Sequence, residues 1–438
     1  MRFPELLLLS SRYLFRHLRR YVFLIVALTL GFAVITVITS LQNGMTRSVY
    51  NSAQGHYAGD IVILGNDKDS KTQFRISESE KILAVVRETA ESEDFGINRI
   101  VRRTQFGNKG LLYFNGTAVR QKYVLGVDWQ AEEEYFRTLS YVAGGYEELT
   151  GREDVFISAP VAEELKARIG DRVILEVNTR TGQKNTGVFI IRGIIADATI
   201  FGYYKCFIDR TALNDLLRYE SGDCSTIGIY LKDRNRAEKA ARLLADSLAA
   251  TVPTAHFVPT RDEHEEQVHQ SWEGIRHFVL TLDVYLSEVS ELLSSIRIVG
   301  YFLYIMMLVI IFVSSLVTYN LILHERSREL GTMRSLGFYA EDIQMLLILE
   351  ALLLLGISLV CGFILAKLIV WGVSLLSFQQ IPSFEIFMKD GRLQAVYEPV
   401  TILFNVVALM LTISVPVWFP SYRISRMGLP EALNGGDK

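Results

Sequence analysis

The chain has 438 residues and only three cysteines, with no Cys-x-x-Cys pair among them. It also lacks a G-x-S-x-G elbow, so neither dithiol exchange nor hydrolase-type nucleophilic catalysis has its usual residues. No G-x-x-x-x-G-K-[ST] loop is present to cradle the phosphates of a nucleotide. Charge of one sign is lacking as well: 45 Lys and Arg stand against 48 Asp and Glu, a formal net charge of −3. Nucleic acid is not an expected partner, and no metal, cofactor or catalytic constellation is read in this chain.

The balanced totals hide a strong segregation. Residues 21–41 and 298–323 contain no charged side chain, and two further apolar runs cover about 345–366 and 400–419. A helix needs about 20 residues to cross a hydrocarbon layer of ~30 Å, and each run is that long. Four spans are therefore expected, at 21–43, 297–323, 345–376 and 399–420. The first is too long for a signal-peptide core and no small-residue cleavage site follows it. Arg2, Arg12, Arg16, Arg19 and Arg20 precede span one; Arg326, Arg328 and Arg334 lie between spans two and three; Arg423 and Arg426 follow span four. The segment between spans three and four holds only Lys389 and Arg392. Basic residues favour the cytoplasmic side. Residues 1–20, 324–344 and 421–438 are thus expected inside, and 44–296 and 377–398 outside.

The exported segment reads as an α+β module of alternating strands and helices with polar turns. GDIVILGND (59–67) is a strand and SESEKILAVVRETAE (77–91) a helix, while GLLYFNG (110–116) and QKYVLGVD (121–128) are strands flanking a turn. Residues 154–177 give strand, helix, Gly-Asp turn and strand, and GVFIIRGIIAD (187–197) pairs with the last of these. The expected organisation is an outer subdomain at about 105–200, inserted into a βαβ-type layer formed by 57–104 and 201–259. Cys206 and Cys224 both fall in this segment, where export would permit a disulfide; spacing alone leaves them equally readable as two buried thiols. His264, His269 and His277 lie among carboxylates, but the first pair is five residues apart and off a common helix face, so a solvated helix leading to the membrane is the expectation.

Two helical segments carry the functional reading. Val284, Leu286, Val289, Leu292, Leu293 and Ile296 recur at helical spacing and run into span two, which points to a stalk continuing outward from the membrane; 42–60 does the same, for a shorter distance, after span one. The other is HERSRELGTMRSLGFYAEDIQMLLILE, a charged stretch between two apolar ones. Leu330, Met333, Leu336 and Gly337 are placed on one side of a short amphipathic helix. Its polar residues include Glu325, Glu329, Glu341 and Asp342 against three arginines. An anionic leaflet would favour excess positive charge, so a protein partner fits better.

HERSRELGTMRSLGF resembles the E-R-x-R-E-I-G-x-L-R-A-L-G signature of FtsX-like permease domains, the MacB, LolC/LolE and FtsX group of ABC transporters. Glu350 stands where that group places an acidic residue leading span three. PSYRISRMGLPEAL (420–433) resembles the group's closing P-x-x-R-A-A-R-x-x-P-x-E-A-L, with Ser425 in place of a typical Ala. ISAPVAEELKARIGDRVILEV and GVFIIRGIIAD resemble its exported domain, the MacB-like periplasmic core.

The resemblance implies a fold of four transmembrane helices with a large extracytoplasmic α+β domain between spans one and two, in a bacterial inner membrane. It implies that 324–344 is a coupling helix seated on an ABC ATPase subunit, with Glu325, Arg326, Arg328, Glu329, Leu330, Met333, Arg334, Leu336 and Gly337 as the coupling surface. ATP and Mg would belong to that ATPase, since this chain begins about twenty residues before span one. A second permease, identical or related, would complete the transporter. Lipoprotein release or export of amphiphiles, with a periplasmic carrier or adaptor, is the implied activity; an FtsX-like regulator driving an extracytoplasmic enzyme is the alternative. In LolC the hairpin corresponding to 178–187 is extended into a hook for the carrier. Here it is short and has no proline, so carrier binding is not transferred.

Overall fold

Among the described residues of the computed structural model, four helices are long and apolar enough to cross a membrane. The structure describes residues 3–16, 18–69, 74–196, 204–220, 222–376, 387–388 and 392–425. In chain order the elements are α1 (Phe3–Arg16), α2 (Leu18–Tyr57), β1 (Ile61–Asp67), α3 (Ser79–Ser92), β2 (Ile97–Phe114), β3 (Thr117–Val127), α4 (Glu133–Thr138), β4 (Tyr141–Gly144), β5 (Asp154–Ser158) and α5 (Ala159–Leu165). They continue with β6 (Arg172–Asn178), β7 (Lys184–Ile195), β8 (Lys205–Asp209), α6 (Arg210–Leu217), β9 (Thr226–Leu231), α7 (Ala237–Ala249), α8 (Arg261–His269) and β10 (Ile275–Thr281). The last helices are α9 (Leu282–Tyr285), α10 (Ser287–Glu325), α11 (Ser327–Ser335), α12 (Ala340–Ser374) and α13 (Pro399–Ser425). Most of the closing motif at 420–433 lies outside the described residues, as does most of the 377–398 loop.

Contacts divide the chain into two units, one built on residues up to Arg47 and from Leu293 onward, the other on Ser48–Leu292. The first is a helical bundle. Tyr21, Leu24, Leu28, Phe32 and Ile35 form one stripe of α2 at three- and four-residue spacing. They pack with Ile311, Tyr319 and Ile322 of α10, Ala351, Leu354 and Leu355 of α12, and Leu409, Ile413 and Val417 of α13. α1 was not anticipated; its Leu14 joins this core and its Leu9 packs on Leu346 and Leu349. Gly300 lets α2 and α10 meet closely, because a Cβ there would sit 1.7 Å from the Gln42 amide. The outward side chains of α10, including Ile298, Phe302, Ile305, Val309 and Val313, are apolar and exposed, as on a lipid-facing helix.

α2 and α10 have 40 and 39 residues, about 60 Å each at 1.5 Å per residue, against ~30 Å of hydrocarbon. Each contributes to both units. The helix after span one runs to Tyr57.

The second unit has two large cores, with smaller hydrophobic clusters beside them. β10, β1, β9 and the first part of β2 lie side by side in that order, every neighbouring pair antiparallel. α3 links β1 to β2 and α7 links β9 to β10, which is the split βαβ arrangement. The expected βαβ-type layer is therefore antiparallel, because β9 is inserted between β1 and β2. Ile82, Leu83 and Val86 of α3, with Ala240, Ala241, Leu244, Ala245 and Leu248 of α7, cover one face of this layer.

The second core is a closed ring of strands. β2 pairs β3, β3 pairs β8, β8 pairs β5, β5 pairs β7, β7 pairs β6, and β6 returns to β2. Inward residues alternate along each strand, for example Val173, Leu175 and Val177 of β6, and α5 and α6 supply Val161, Leu165, Leu213 and Leu217. The β2–β3 turn is Asn115-Gly116, both at positive φ (46° and 84°), the chemistry that hairpins of this type require. β8 and α6 belong to this outer core, so it reaches Tyr219 and not 200. The sequence pattern at 201–217 could not assign them, because β8 pairs parallel to β3, more than eighty residues earlier. β2, running through both sheets with an irregularity between Gly107 and Gly110, joins the two.

Cys206 is buried in the outer core and Cys224 in the layer core, and both are free thiols, so the disulfide reading is set aside. Cys361 lies in α12. α8 does not lead to the membrane. It ends at His269 and is followed by β10, which pairs with β1 along its length. His277 is on β10 while His264 and His269 are on α8. Among the described residues no group of three potential metal ligands is found.

Candidate functional site

The charged stretch after span two does not form an independent surface helix. Arg326 N–H donates to Ile322 O at 3.0 Å and Leu330 N–H donates to Arg326 O at 2.9 Å, so helical bonding carries across the break between α10 and α11. α11 ends after Ser335. Gly337 takes φ +97°, its N–H donates to Arg334 O at 3.1 Å, and Phe338 N–H donates to Met333 O at 3.2 Å. That pair of bonds is the Schellman closure, and it satisfies carbonyls that a helix end leaves open. Tyr339 then precedes α12.

The residues assigned to the coupling surface separate into two groups. Leu330 and Met333 are buried against Leu323, Ile343 and Leu347, which fixes α11 to the ends of α10 and α12. Leu336 and Gly337 do not share that face, contrary to the helical-wheel expectation. The helix stops one residue earlier, leaving Leu336 79% exposed and Tyr339 77% exposed. Glu325 is also exposed, Glu329 and Arg334 are half-buried, and the backbone of Arg328 lies in the first turn of α11.

Arg326 is the main correction. It was placed on the outer coupling surface and is instead buried. Its Nη1 donates to Glu350 Oε2 at 2.8 Å and to the Tyr21 hydroxyl oxygen at 2.9 Å, while Tyr21 O–H donates to Glu350 Oε1 at 2.6 Å. Its Nε lies 3.5 Å from Glu329 Oε2. One guanidinium therefore ties α2, the α10–α11 joint and α12 together, and Glu350 is its buried counter-charge. The clue in the sequence was the isolated carboxylate at 350 in an apolar run; its partner, 24 residues earlier, is set by packing.

Of the proposed stalk residues, Leu286 and Leu293 are buried, Val289 and Ile296 half-buried, and Leu292 exposed. α9 and α10 are separated by a short break at Leu286.

A second knot, unread in the sequence, holds the last turn of α2 within the Ser48–Leu292 unit. Arg103 of β2 donates from Nη1 to His56 O and from Nη2 to Gly55 O, both at 2.8 Å. It thus caps the carbonyl end of the helix with positive charge, where the helix dipole is negative. Glu132, fully buried, accepts from Arg103 Nε at 2.9 Å and balances the charge. Lys205 Nζ bonds the His56 ring at Nδ1, 2.8 Å away, and burial lowers its pKa well below the ordinary lysine value. Tyr50 O–H donates to Asp283 Oδ1 at 2.8 Å, the Arg234 guanidinium lies over the Tyr50 ring at 3.5 Å, and Tyr57 stacks on Tyr285 at 4.5 Å. The ends of α2 and α9 are thereby fixed to each other and to the sheet.

Two family models match the chain. The MacB-like periplasmic core domain covers residues 22–247, and the FtsX-like permease C-terminal domain covers 301–429. This chain belongs to the FtsX/MacB-type ABC permeases. It is accordingly a membrane permease with an α+β extracytoplasmic domain, of a family whose permeases work with an ABC ATPase. Among solved structures, the periplasmic region of MacB from Actinobacillus actinomycetemcomitans is similar at 11% identity and a TM-score of 0.33, over 55% of this chain and 97% of that one. A domain of a permease protein from Porphyromonas gingivalis is similar at 12% identity and a TM-score of 0.27, over 51% of this chain and 89% of that one. No curated protein sequence matches.

Proposed function

We propose that this FtsX/MacB-type permease transmits the motion of a separate ABC ATPase, through α11 and its turn, to the extracytoplasmic domain. The observation that carries this reading is the combination of an exposed Leu336–Tyr339 turn with the buried Arg326–Glu350–Tyr21 tie behind it. A partner pressing on the turn would displace α2, α10 and α12 together, because a single guanidinium binds all three. The length of α2 and α10 beyond one hydrocarbon thickness supports the stalk role of Leu286, Val289, Leu292, Leu293 and Ile296.

In this reading the protein lies in a bacterial inner membrane with four spans. The N-terminus, the α11 turn and the C-terminus face the cytoplasm. A second permease, identical or related, stands beside it, and ATP and Mg sit on the ATPase. The cargo is an acylated lipoprotein or another amphiphile taken from the outer leaflet or the periplasm.

The test has two parts. Leu336→Asp alters an exposed residue and should cut co-purification of the ATPase while leaving the melting temperature unchanged; normal ATPase stoichiometry in this variant would count against coupling through the turn. Mass spectrometry of complexes from gently solubilised native membranes identifies the rest. Acylated lipoproteins beside an ATPase favour lipoprotein release, an adaptor or outer-membrane duct favours export, and a cell-wall hydrolase favours the regulator.

A further inference from the structure

The antiparallel layer of the extracytoplasmic domain has helices α3 and α7 on one face only. Because strand side chains alternate, Val62, Leu64 and Leu280 point to the other face. With Leu125 and Val284 they are buried, and they line an open volume of about 850 Å³; Leu280 and Val284 also pack on Ala255 and Phe278. Protein interiors are close-packed, and a gap of this size is far beyond a packing flaw. Its volume falls within the range of roughly 300–1,000 Å³ typical of ligand sites. The apolar part of its wall favours contact with apolar groups over water.

Polar groups lie along α8 and the end of β1, and His56, Arg103, Gln105 and Thr226 also line the space. Lys68, Arg261, His264 and His269 bring donors to the rim. Glu265 accepts from Arg261 Nε at 2.9 Å, and Asp67 Oδ1 accepts from Asp69 N–H at 3.1 Å, so both acids on this wall already have partners. His264 Nδ1 is buried and bonded to no protein atom, and burial lowers the pKa of the ring, favouring the neutral form.

We infer that this cavity is a binding site for an amphiphile, with its apolar body against Val62, Leu64, Leu125 and Leu280 and an oxygen-rich, hydrogen-bond-accepting head toward Lys68 and His264. The site also touches the end of each long helix system: His56 and Tyr57 of α2, and Val284 and Tyr285 of α9, line it. A displacement of the joined α2 and α9 ends against the α8 wall would change its volume, so occupancy and helix position are linked, and linkage is reciprocal. That last consequence rests on the transmission reading above; the binding site does not.

The full chain in lipid nanodiscs is incubated with a palmitate analogue carrying a diazirine on its chain, irradiated, and digested for mass spectrometry. Labels are expected in the peptides holding Val62–Leu64 and Leu280–Tyr285, and unlabelled palmitate should compete them away. Leu64→Trp and Leu280→Trp fill the space and should each lower that labelling roughly tenfold, the equivalent of about 1.4 kcal/mol, with labelling of the membrane helices unchanged. Labels confined to the membrane helices, or cavity labels that neither palmitate nor the tryptophans reduce, would overturn the site. Adding the ATPase with ATP should alter cavity labelling. A response there supports the linkage, and an unchanged yield, with the cavity still labelled, removes the linkage alone.

Discussion

Arg326→Met should be among the most damaging single changes in the helical unit. The guanidinium and the Glu350 carboxylate are nearly inaccessible to solvent, with side-chain exposures of 3% and 1%, and lie 2.8 Å apart. Removing one member of such a pair leaves the other buried and uncompensated, which costs about 3–5 kcal/mol. Glu350→Leu should cost a similar amount. The double variant replaces both charges by apolar groups and should recover most of the loss, because the desolvation penalty disappears along with the attraction. The pair should therefore couple by about 2 kcal/mol or more in a double-mutant cycle. Unfolding midpoints in mixed detergent measure all four proteins, and ATPase co-purification reports whether the turn is still presented. Additive single effects, or single losses below about 1 kcal/mol, would refute the claim that this pair ties the three helices.

Gly337→Val forces a branched side chain into φ +97° and should lower stability by about 1–2 kcal/mol; unchanged melting with reduced ATPase binding would instead place Gly337 in the partner interface. Leu292→Pro, in the exposed part of α10, should cost about 3 kcal/mol locally and leave ATP hydrolysis running without transport, so retained transport would sink the stalk role. Lys205→Met tests a pH dependence. The folded pKa of Lys205 is lowered by burial and the unfolded value is near 10.5, so between these values the unfolded chain holds more protons and stability rises with pH. The variant lacks this slope. Its stability relative to the native chain should decline as pH rises toward 10.5, and a constant difference in chemical denaturation would refute the assignment.

Within the extracytoplasmic domain, local pattern and long-range pairing had different reach. The strand at 59–67, the helix at 77–91 and the β6–β7 pairing were legible because period-two and period-3.6 burial is written over neighbouring residues. β10 was missed because Arg276 and His277 interrupt the apolar pattern of Ile275–Thr281 and its partner β1 lies more than two hundred residues earlier. Arg103 and Glu132 were unreadable for another reason. A charged residue that caps a helix 47 residues earlier looks, in sequence, like any surface charge.

The sequence alone determined the four apolar runs, the α+β module between the first two, and the family, because length, hydropathy and a contiguous signature are local properties. The tertiary structure decided which signature residues face inward. Arg326, read as a contact for the partner, became the buried tie, and Leu336 became the exposed residue. The physical reason is that α11 ends at a left-handed Gly337 and that Glu350 and Tyr21, remote in the chain, supply the hydrogen-bonding counterparts that make burying a guanidinium tolerable.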